Sequence, residues 1–256
     1  MYLSHLLINV GDNPDRPRPG RLWLRNVYHV HQRLSMAFPS KEYRAEDPHF
    51  LHPYDPAHFE RPHFLFRIDN AIEDGAPRAV ILVQSDIAPD WDYAFQNAPG
   101  ILAAPPETRE YNPAFQNGQR LRFRIRVNLS KKIKESKKGT DLRKVKDMLD
   151  KKGRPKDQGK RVALNWNDDE NPDEVIRQWF SGKAQRCGFQ IGEFRVIQLG
   201  WVMGYKARGD MKMKFRSALL EGALEVTDAE KFSAAIANGI GAAKSFGFGL
   251  LSVKAL

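Results

Sequence analysis

The eight residues RLRFRIRV (120–127) alternate strictly between arginine and an apolar side chain. This alternation is typical of a β-strand with one buried face, because successive side chains of a strand point to opposite sides of its sheet. The apolar side chains are therefore predicted to face a core, and Arg120, Arg122, Arg124 and Arg126 to line the other face. At about 6.6 Å between successive arginines, the row suits a run of phosphates. A solvated strand face with acidic neighbours is the alternative.

The positive charge of the chain is concentrated around this strand. The 256 residues carry 41 Lys and Arg against 31 Asp and Glu, a net charge of +10. Residues 120–161 hold 18 of the basic and five of the acidic residues, so the rest of the chain has 23 basic and 26 acidic residues. A localised cationic surface of this kind indicates a polyanionic partner. Lys131 and Lys132 open the basic loop 130–160, which is predicted to become ordered on binding or, alternatively, only to solubilise the protein.

Several classes of protein are excluded by composition. The longest apolar run, 79–83, is far shorter than the roughly 20 residues of a membrane span. The start MYLSHLLINV lacks the features of a signal peptide, and the single Cys187 excludes an internal disulfide and a cysteine-rich zinc site. We therefore expect a cytoplasmic protein without a cofactor. No metal site is predicted either, because four histidines match no compact ligand spacing, namely His49, His52, His58 and His63.

The order of periodic segments and turns predicts the fold class. Strands are predicted at 2–10, 63–68, 78–85, 120–127, 161–165, 189–203, 211–226 and 250–253. Helices are predicted at 22–38, at 89–96, at 168–186 and from a Thr227 cap to residue 238. A turn through Asp74-Gly75 is predicted to join the strands at 63–68 and 78–85. Each half approximates β-α-β-β-α-β, which predicts an α+β protein of two tandem ferredoxin-like, RRM-like domains. Residues 1–98 form the first domain, the Pro-rich segment 99–116 a linker, and residues 117–256 the second domain.

The helix predicted at 22–38 carries the most chemically informative side chains. Its core stripe at 100° per residue consists of Val27, Val30, Leu34, Ala37 and Phe38. Tyr28, His31 and Ser35 share a polar stripe beside the core, whereas His29 falls nearly opposite and is expected to be solvated. Histidine is the commonest general acid or base, and a tyrosine can orient a reacting oxygen. A half-buried histidine satisfied by a neighbouring carbonyl is the alternative for His31.

The glycine-rich stretch GIGAAKSFGFGLL (239–251) is a second candidate site. It is not a dinucleotide fingerprint, because a helix precedes the glycines and a strand follows them. Glycine-rich backbone can approach a phosphate closely and offer N–H donors. Lys244 and Ser245 are its candidate RNA-binding side chains. A tight turn that leads into the last strand is the alternative.

Three segments together resemble the CasE family, which comprises the CRISPR repeat-processing endoribonucleases of the type I-E Cascade complex. They are MYLSHLLI (1–8), RNVYHVHQRLSMAFP (25–39) and GIGAAKSFGFGLLSV (239–253). The resemblance implies tandem ferredoxin-like domains and metal-independent cleavage of precursor CRISPR RNA at the 3′ base of a repeat hairpin. The family's catalytic histidine falls on His31 and its catalytic tyrosine on Tyr28. The implied products are a 5′-hydroxyl and a 2′,3′-cyclic phosphate, with the product hairpin retained and carried into Cascade.

Two other functions remain open at this point. A non-catalytic RNA-binding subunit of the same superfamily would share the fold, the basic stripe and the glycine-rich segment. It would not need Tyr28 and His31 together. A ribosomal or DNA-associated architectural protein would be expected to carry its charge over more of its surface than one 42-residue segment.

Overall fold

The structure, a computed structural model, describes residues 1–11, 19–39, 63–73, 76–133, 160–205 and 212–256. The histidine-rich segment 40–62, most of the Pro-rich loop 11–20, the Asp74-Gly75 turn and residues 134–159 of the basic loop lie outside the described residues.

The first half forms a four-stranded antiparallel sheet with helices on one side. Its elements are β1 (Tyr2–Ile8), α1 (Pro19–Trp23), α2 (Val27–Ser35), β2 (Phe64–Glu73), β3 (Ala76–Ser85), α3 (Trp91–Phe95) and β4 (Glu107–Glu110). The strand order is β2-β3-β1-β4, so β2 and β4, the two strands that follow helices, lie at the two edges of the sheet. Helix α2 and the short α3 pack on the apolar face of this sheet around a core that includes Leu6, Leu34, Phe66 and Val83.

The second half repeats this plan with an insertion. Its elements are β5 (Arg120–Asn128), β6 (Ser130–Ile133), β7 (Lys160–Ala163), α4 (Pro172–Arg186), β8 (Phe189–Tyr205), β9 (Lys212–Val226), α5 (Ala229–Asn238) and β10 (Leu251–Ala255). The sheet order β10-β5-β9-β8 has the same arrangement as in the first half, and β6 pairs with β7 in a separate ladder. The predicted α+β class and the two tandem ferredoxin-like units are thus confirmed.

The segment predicted as a linker contributes a strand to the first sheet. Within 99–116, strand β4 pairs antiparallel with β1, with Tyr2 opposite Glu110 and His5 opposite Glu107. All four side chains of β4 are exposed, so its sequence shows no apolar alternation. An edge strand of this kind leaves no periodic signal, and the first sheet therefore extends beyond residue 98.

Two helix starts differ from the predictions. The single helix expected at 22–38 is divided, because Asn26 adopts an extended conformation and caps a new helix at Val27. The predicted cap Thr227 gives way to Asp228, whose carboxylate accepts a hydrogen bond from the Lys231 amide at 3.0 Å. The apolar stripe of the first helix is nevertheless buried throughout, with Val27, Val30, Leu34, Ala37 and Phe38 at most 4% exposed.

Buried polar contacts join the two halves. Gln84 of β3 is 3% exposed and donates a hydrogen bond to the carbonyl of Ile236, at 2.8 Å, near the end of α5. On the same face of the first sheet, the Arg67 guanidinium of β2 donates to the carbonyl of Arg124 at 2.9 Å. Each bond satisfies a carbonyl that packing between the halves removes from water. No helix among the described residues is long and apolar enough to cross a membrane.

Candidate active site

The first turn of α2 is fixed to the second half of the molecule by Asn26. Its side-chain oxygen accepts hydrogen bonds from the amides of Tyr28, at 3.2 Å, and Tyr205, at 2.9 Å. Its side-chain nitrogen donates to the carbonyl of Tyr205 at 3.0 Å. One amide side chain therefore both caps the helix that carries Tyr28 and holds the end of β8. Sequence analysis missed this residue, although an asparagine two positions before a helical tyrosine is a recognisable N-cap signal.

The imidazole of His31 lies between the two halves of the protein. Its ring is stacked nearly parallel on Phe64 of β2, with 5.5 Å between ring centroids and 19° between planes. On another side it meets Phe246, at 6.2 Å and 56°. The residue is half-buried, so its ring is held by aromatic neighbours and is not sealed in the core. His29, predicted to be solvated, is exposed.

In the predicted polar stripe on α2, the hydroxyl of Ser35 is already hydrogen-bonded within the helix. The hydroxyl of Ser35 donates to the carbonyl of His31, one turn earlier, at 2.7 Å. Serine side chains in helices commonly bond back to the preceding turn, and this bond occupies the hydroxyl with the helix's own backbone. Tyr28 is half-buried, and it shares a helix face with His31 because the two lie three positions apart.

We call the surroundings of the His31 ring, between Phe64 and Phe246, the histidine pocket. The glycine-rich segment forms the side of this pocket that carries Phe246. Lys244–Phe246 make one 3₁₀ turn, and Phe246 also stacks on Phe215 of β9 with a centroid distance of 5.0 Å. Gly249 has φ of 89°, and a β-carbon there would lie 2.6 Å from the carbonyl oxygen of Ile240. The segment is thus a tight turn into β10, as one alternative had it. The same turn brings Lys244, half-buried, and Ser245, exposed, to the wall that carries Phe246.

The same segment links the histidine pocket to the arginine strand. The amide of Gly249 donates to the carbonyl of Arg126 at 2.8 Å, so the end of β5 and the turn that contacts His31 are directly hydrogen-bonded. The imidazole is therefore joined through the glycine-rich turn to the Arg126 end of β5.

The arginine face of β5 is open at one end only. Arg120 and Arg122 are exposed, as predicted, whereas Arg126 is 8% exposed. Arg124 has a side chain 43% exposed and pairs with Glu221 of β9, while Asp69 lies 3.7 Å away. The expectation of four guanidinium groups lining one open face is thus wrong for Arg126 and only partly met for Arg124.

Contacts with both halves of the chain explain the burial of Arg126. Its guanidinium donates to the carbonyl of Ile68 at 3.1 Å, to Gln198 at 3.0 Å and to Ser217 at 3.2 Å. Desolvation by burial lowers the pKa of Arg126, while the nearby Asp69 raises it. The two exposed arginines and the two covered ones alternate identically in the sequence, which does not show that β2 packs across one end of the strand.

A buried ion pair under the arginine strand was not predicted. Arg67 is 3% exposed and binds Asp69 through Nε, at 2.8 Å, and Nη2, at 2.8 Å. Its Nη1 also donates to Ser252 at 2.8 Å. An arginine inside the apolar run HFLFRI, followed two residues later by an aspartate, places both side chains on one strand face. That spacing is the sequence signal that could have identified the pair.

A cationic cavity lies beside the open end of β5. It encloses about 700 Å³, and Arg122, Arg195 and Lys254 on its wall are exposed, with Glu193 and Glu221 as the acidic lining residues. Lys131 and Lys132, predicted to bind RNA, are exposed on β6. In the described ranges, no three His, Cys, Asp or Glu side chains are grouped so that they could hold a metal ion.

Comparison with known proteins identifies the family of this chain. The family model described as "CRISPR associated protein" matches residues 1–255. The chain belongs to this family. The CRISPR-associated endoribonuclease Cse3 of Thermus thermophilus is 27% identical to it over 263 aligned positions, which cover 99% of both chains. The resemblance to the CasE family drawn from the sequence is thereby confirmed.

Two solved structures show the same architecture over the whole chain. A CRISPR endoribonuclease Cse3 bound to a 19-nucleotide RNA superposes with a TM-score of 0.66 at 29% identity, covering 99% of this chain and 100% of the other. Cas6e from Escherichia coli K-12 superposes with a TM-score of 0.52 at 25% identity, covering 100% of both chains. The tandem fold is therefore that of these CRISPR proteins.

Proposed function

We propose that this protein is a metal-independent endoribonuclease that binds the CRISPR repeat hairpin and cleaves precursor CRISPR RNA at the 3′ base of the stem. The observation that carries the proposal is the position of His31, half-buried between Phe64 and Phe246 and connected through the glycine-rich turn to the arginine strand. The similarity over the full chain to an RNA-bound endoribonuclease supports the same assignment.

The reaction is an attack of the ribose 2′-hydroxyl on the adjacent phosphorus. The 2′-oxygen forms a bond to phosphorus as the bond to the 5′-oxygen breaks, which leaves a 2′,3′-cyclic phosphate and a 5′-hydroxyl. A proton must leave the 2′-hydroxyl and another must reach the departing 5′-oxygen. His31 carries out a proton transfer, and Tyr28 orients the nucleophile or assists. Lys244 supplies positive charge for the additional negative charge that develops on the phosphate.

The cationic surfaces hold the RNA in this proposal. Arg120, Arg122, Lys131 and Lys132 are exposed and take the phosphate backbone, with Ser245 and Lys244 close to the scissile position. Arg124 contributes only its exposed part, and Arg126 acts through the fold because its guanidinium is already bonded to protein oxygens. The protein keeps the cleaved hairpin and joins the other Cascade subunits with it, in the cytoplasm.

The direct test is cleavage of candidate repeat hairpins followed by analysis of the product ends. We expect one cut at the 3′ base of the stem, a 2′,3′-cyclic phosphate and a 5′-hydroxyl, and undiminished activity in EDTA. Binding without any cleavage would instead identify a non-catalytic RNA-binding subunit. An absolute requirement for a divalent cation would contradict the proposed chemistry.

Salt dependence should separate exposed arginines from buried ones. Replacing Arg122 by glutamine is expected to weaken hairpin binding and to reduce the slope of log K against log salt by about 1, since one phosphate contact is lost. Binding constants measured between low and physiological salt give this slope. Arg109→Gln is the matched control, because Arg109 is exposed on β4, at the edge of the first sheet that lies opposite β2. An unchanged slope for Arg122→Gln would remove this arginine from the RNA surface.

A further inference from the structure

The β8–β9 hairpin carries exposed apolar side chains that the proposed active site does not use. Residues of β8 up to Val196 pack against the core under α4. Beyond that point large side chains are exposed, with Leu199 at 42%, Trp201 at 48% and Tyr205 at 39%. Three such residues on one face of a strand exceed what isolated surface positions explain, and they indicate a contact surface.

Two cations lie over indole rings on this face. Trp201 is opposite Arg216 in the strand register. The Lys214 ammonium is 4.2 Å from the centre of the Trp201 ring, and the Arg216 guanidinium is 3.4 Å from that of Trp166 and 5.8 Å from that of Trp201. We call Trp166, Trp201, Lys214 and Arg216 the indole patch.

The indole patch is pre-organised and positively charged. Arg216 is held by the carbonyl oxygen of Leu164, at 2.6 Å, and by the side-chain oxygen of Asn165, at 2.9 Å. These oxygens are neutral acceptors, so they fix the guanidinium without cancelling its charge. Lys214 is exposed. Flat rings beside fixed cations are the combination that binds single-stranded nucleic acid, through base stacking and phosphate contacts.

The indole patch lies next to the basic β6–β7 ladder and behind the histidine pocket. Trp166 follows β7, the strand that pairs with β6 and places Lys132 opposite Arg161. On the reverse face of the same hairpin, Phe215 stacks on Phe246, which contacts His31. The patch is therefore separated from the histidine pocket by the thickness of one sheet and is continuous with the basic β6–β7 ladder.

We infer that the indole patch binds single-stranded RNA that flanks the repeat hairpin, with a base stacked against Trp201. This inference rests on the proposed function, and it adds a second RNA site to the one around His31. The charge of the patch favours RNA over a protein partner, because Lys214 and Arg216 occupy the surface where an apolar protein contact would have to desolvate them. The patch would increase affinity for precursor RNA that continues beyond the stem.

The test compares the dissociation constants of three RNAs, so that general losses of affinity cancel. One is the repeat hairpin alone, and the other two carry a single-stranded extension of about six nucleotides on the 5′ or the 3′ side, within the site size of single-strand binding modules. All three carry a 2′-deoxy nucleotide at the scissile position. For the unmodified protein we expect one of the extensions to improve binding about tenfold, the effect of stacking one base.

The variants locate this gain. Trp201→Ala should abolish most of it, Trp201→Phe should keep most of it, and Lys214→Gln should reduce both the gain and its salt dependence. Leu22→Ala is the control, since Leu22 is 65% exposed on α1 and should leave the gain intact. Circular dichroism confirms that each variant is folded.

The outcomes distinguish the inference from the function on which it rests. Tight hairpin binding with no gain from either extension overturns the inference alone, as does a gain that Trp201→Ala leaves unchanged. Loss of assembly with other Cascade subunits in Trp201→Ala, with the gain preserved, would assign the patch to a protein contact. Failure of the unmodified protein to bind the hairpin would overturn the proposed function and this site with it.

Discussion

Replacing His31 by alanine is expected to slow cleavage of the repeat hairpin by about 10²–10⁴-fold, the usual contribution of a positioned acid or base. Hairpin affinity should stay close to that of the unmodified protein, because the exposed cations that hold the phosphates remain. The reason is geometric: the ring stands between Phe64 and Phe246, where α2 of the first half meets the glycine-rich turn of the second. Single-turnover cleavage rates and dissociation constants measured side by side check both statements.

The helix supplies its own control for this prediction. His29 lies two residues away on α2 and is exposed, so His29→Ala should retain activity. Tyr28→Phe tests the phenol without removing the ring. A substrate with a 2′-deoxy nucleotide at the scissile position should bind and remain uncut by the unmodified protein. Full cleavage by His31→Ala would eliminate the proposed role of the imidazole.

The second large effect concerns stability. Replacing Arg67 by alanine is expected to lower the free energy of unfolding by about 3–5 kcal/mol, the range for breaking a buried ion pair by removing one partner. The variant leaves Asp69, whose side chain is 15% exposed, with the more distant Arg124 and Arg126 as positive neighbours and without its bidentate partner. It also removes the Arg67 donor from the carbonyl of Arg124 and from the hydroxyl of Ser252 at the junction between the halves, and the carbonyl keeps only the 3.2 Å bond from Ser252 among its side-chain donors. Urea unfolding followed by circular dichroism measures the loss.

Two comparisons show whether the loss comes from the unpaired charge. Arg67→Met combined with Asp69→Leu removes both charges, and it should recover much of the stability because no buried carboxylate is left alone. Arg122→Ala removes an exposed arginine of the neighbouring strand, and it should change the unfolding free energy by no more than about 0.5 kcal/mol. Equal destabilisation by Arg67→Ala and the double variant would show that packing, not charge, accounts for the effect.

Local periodicity was sufficient to predict most of the fold. The alternation in 120–127 placed Leu121, Phe123, Ile125 and Val127 in the core, and all four are buried. It did not predict Arg126, since that side chain is covered by Ile68 and Gln198 from distant parts of the chain. Strand β4 was missed for the opposite reason: its side chains are all exposed, so the pairing with β1 depends on backbone hydrogen bonds that leave no pattern in the sequence.

The sequence predicted the candidate site residues that lie on α2, but not the residues of other elements that pack against them. The 3.6-residue repeat placed Tyr28 and His31 at the edge of the core stripe, where the structure has them half-buried. The aromatic residues that hold the imidazole, Phe64 and Phe246, lie on other elements and come together only when the two sheets pack. The same spacing put Ser35 on this face, but it does not show that the Ser35 hydroxyl bonds back to the carbonyl of His31.

The two aromatic neighbours of the His31 imidazole are far apart in the sequence, so they are synthesised at different times during translation. The ribosome makes Phe64 early and Phe246 much later, so a nascent polypeptide carries the helix with only one flank of its pocket. If the proposed function holds, such an incomplete polypeptide would not cleave RNA, even when RNA is present. Catalytic competence would thus begin only after both halves have been translated and have closed on each other.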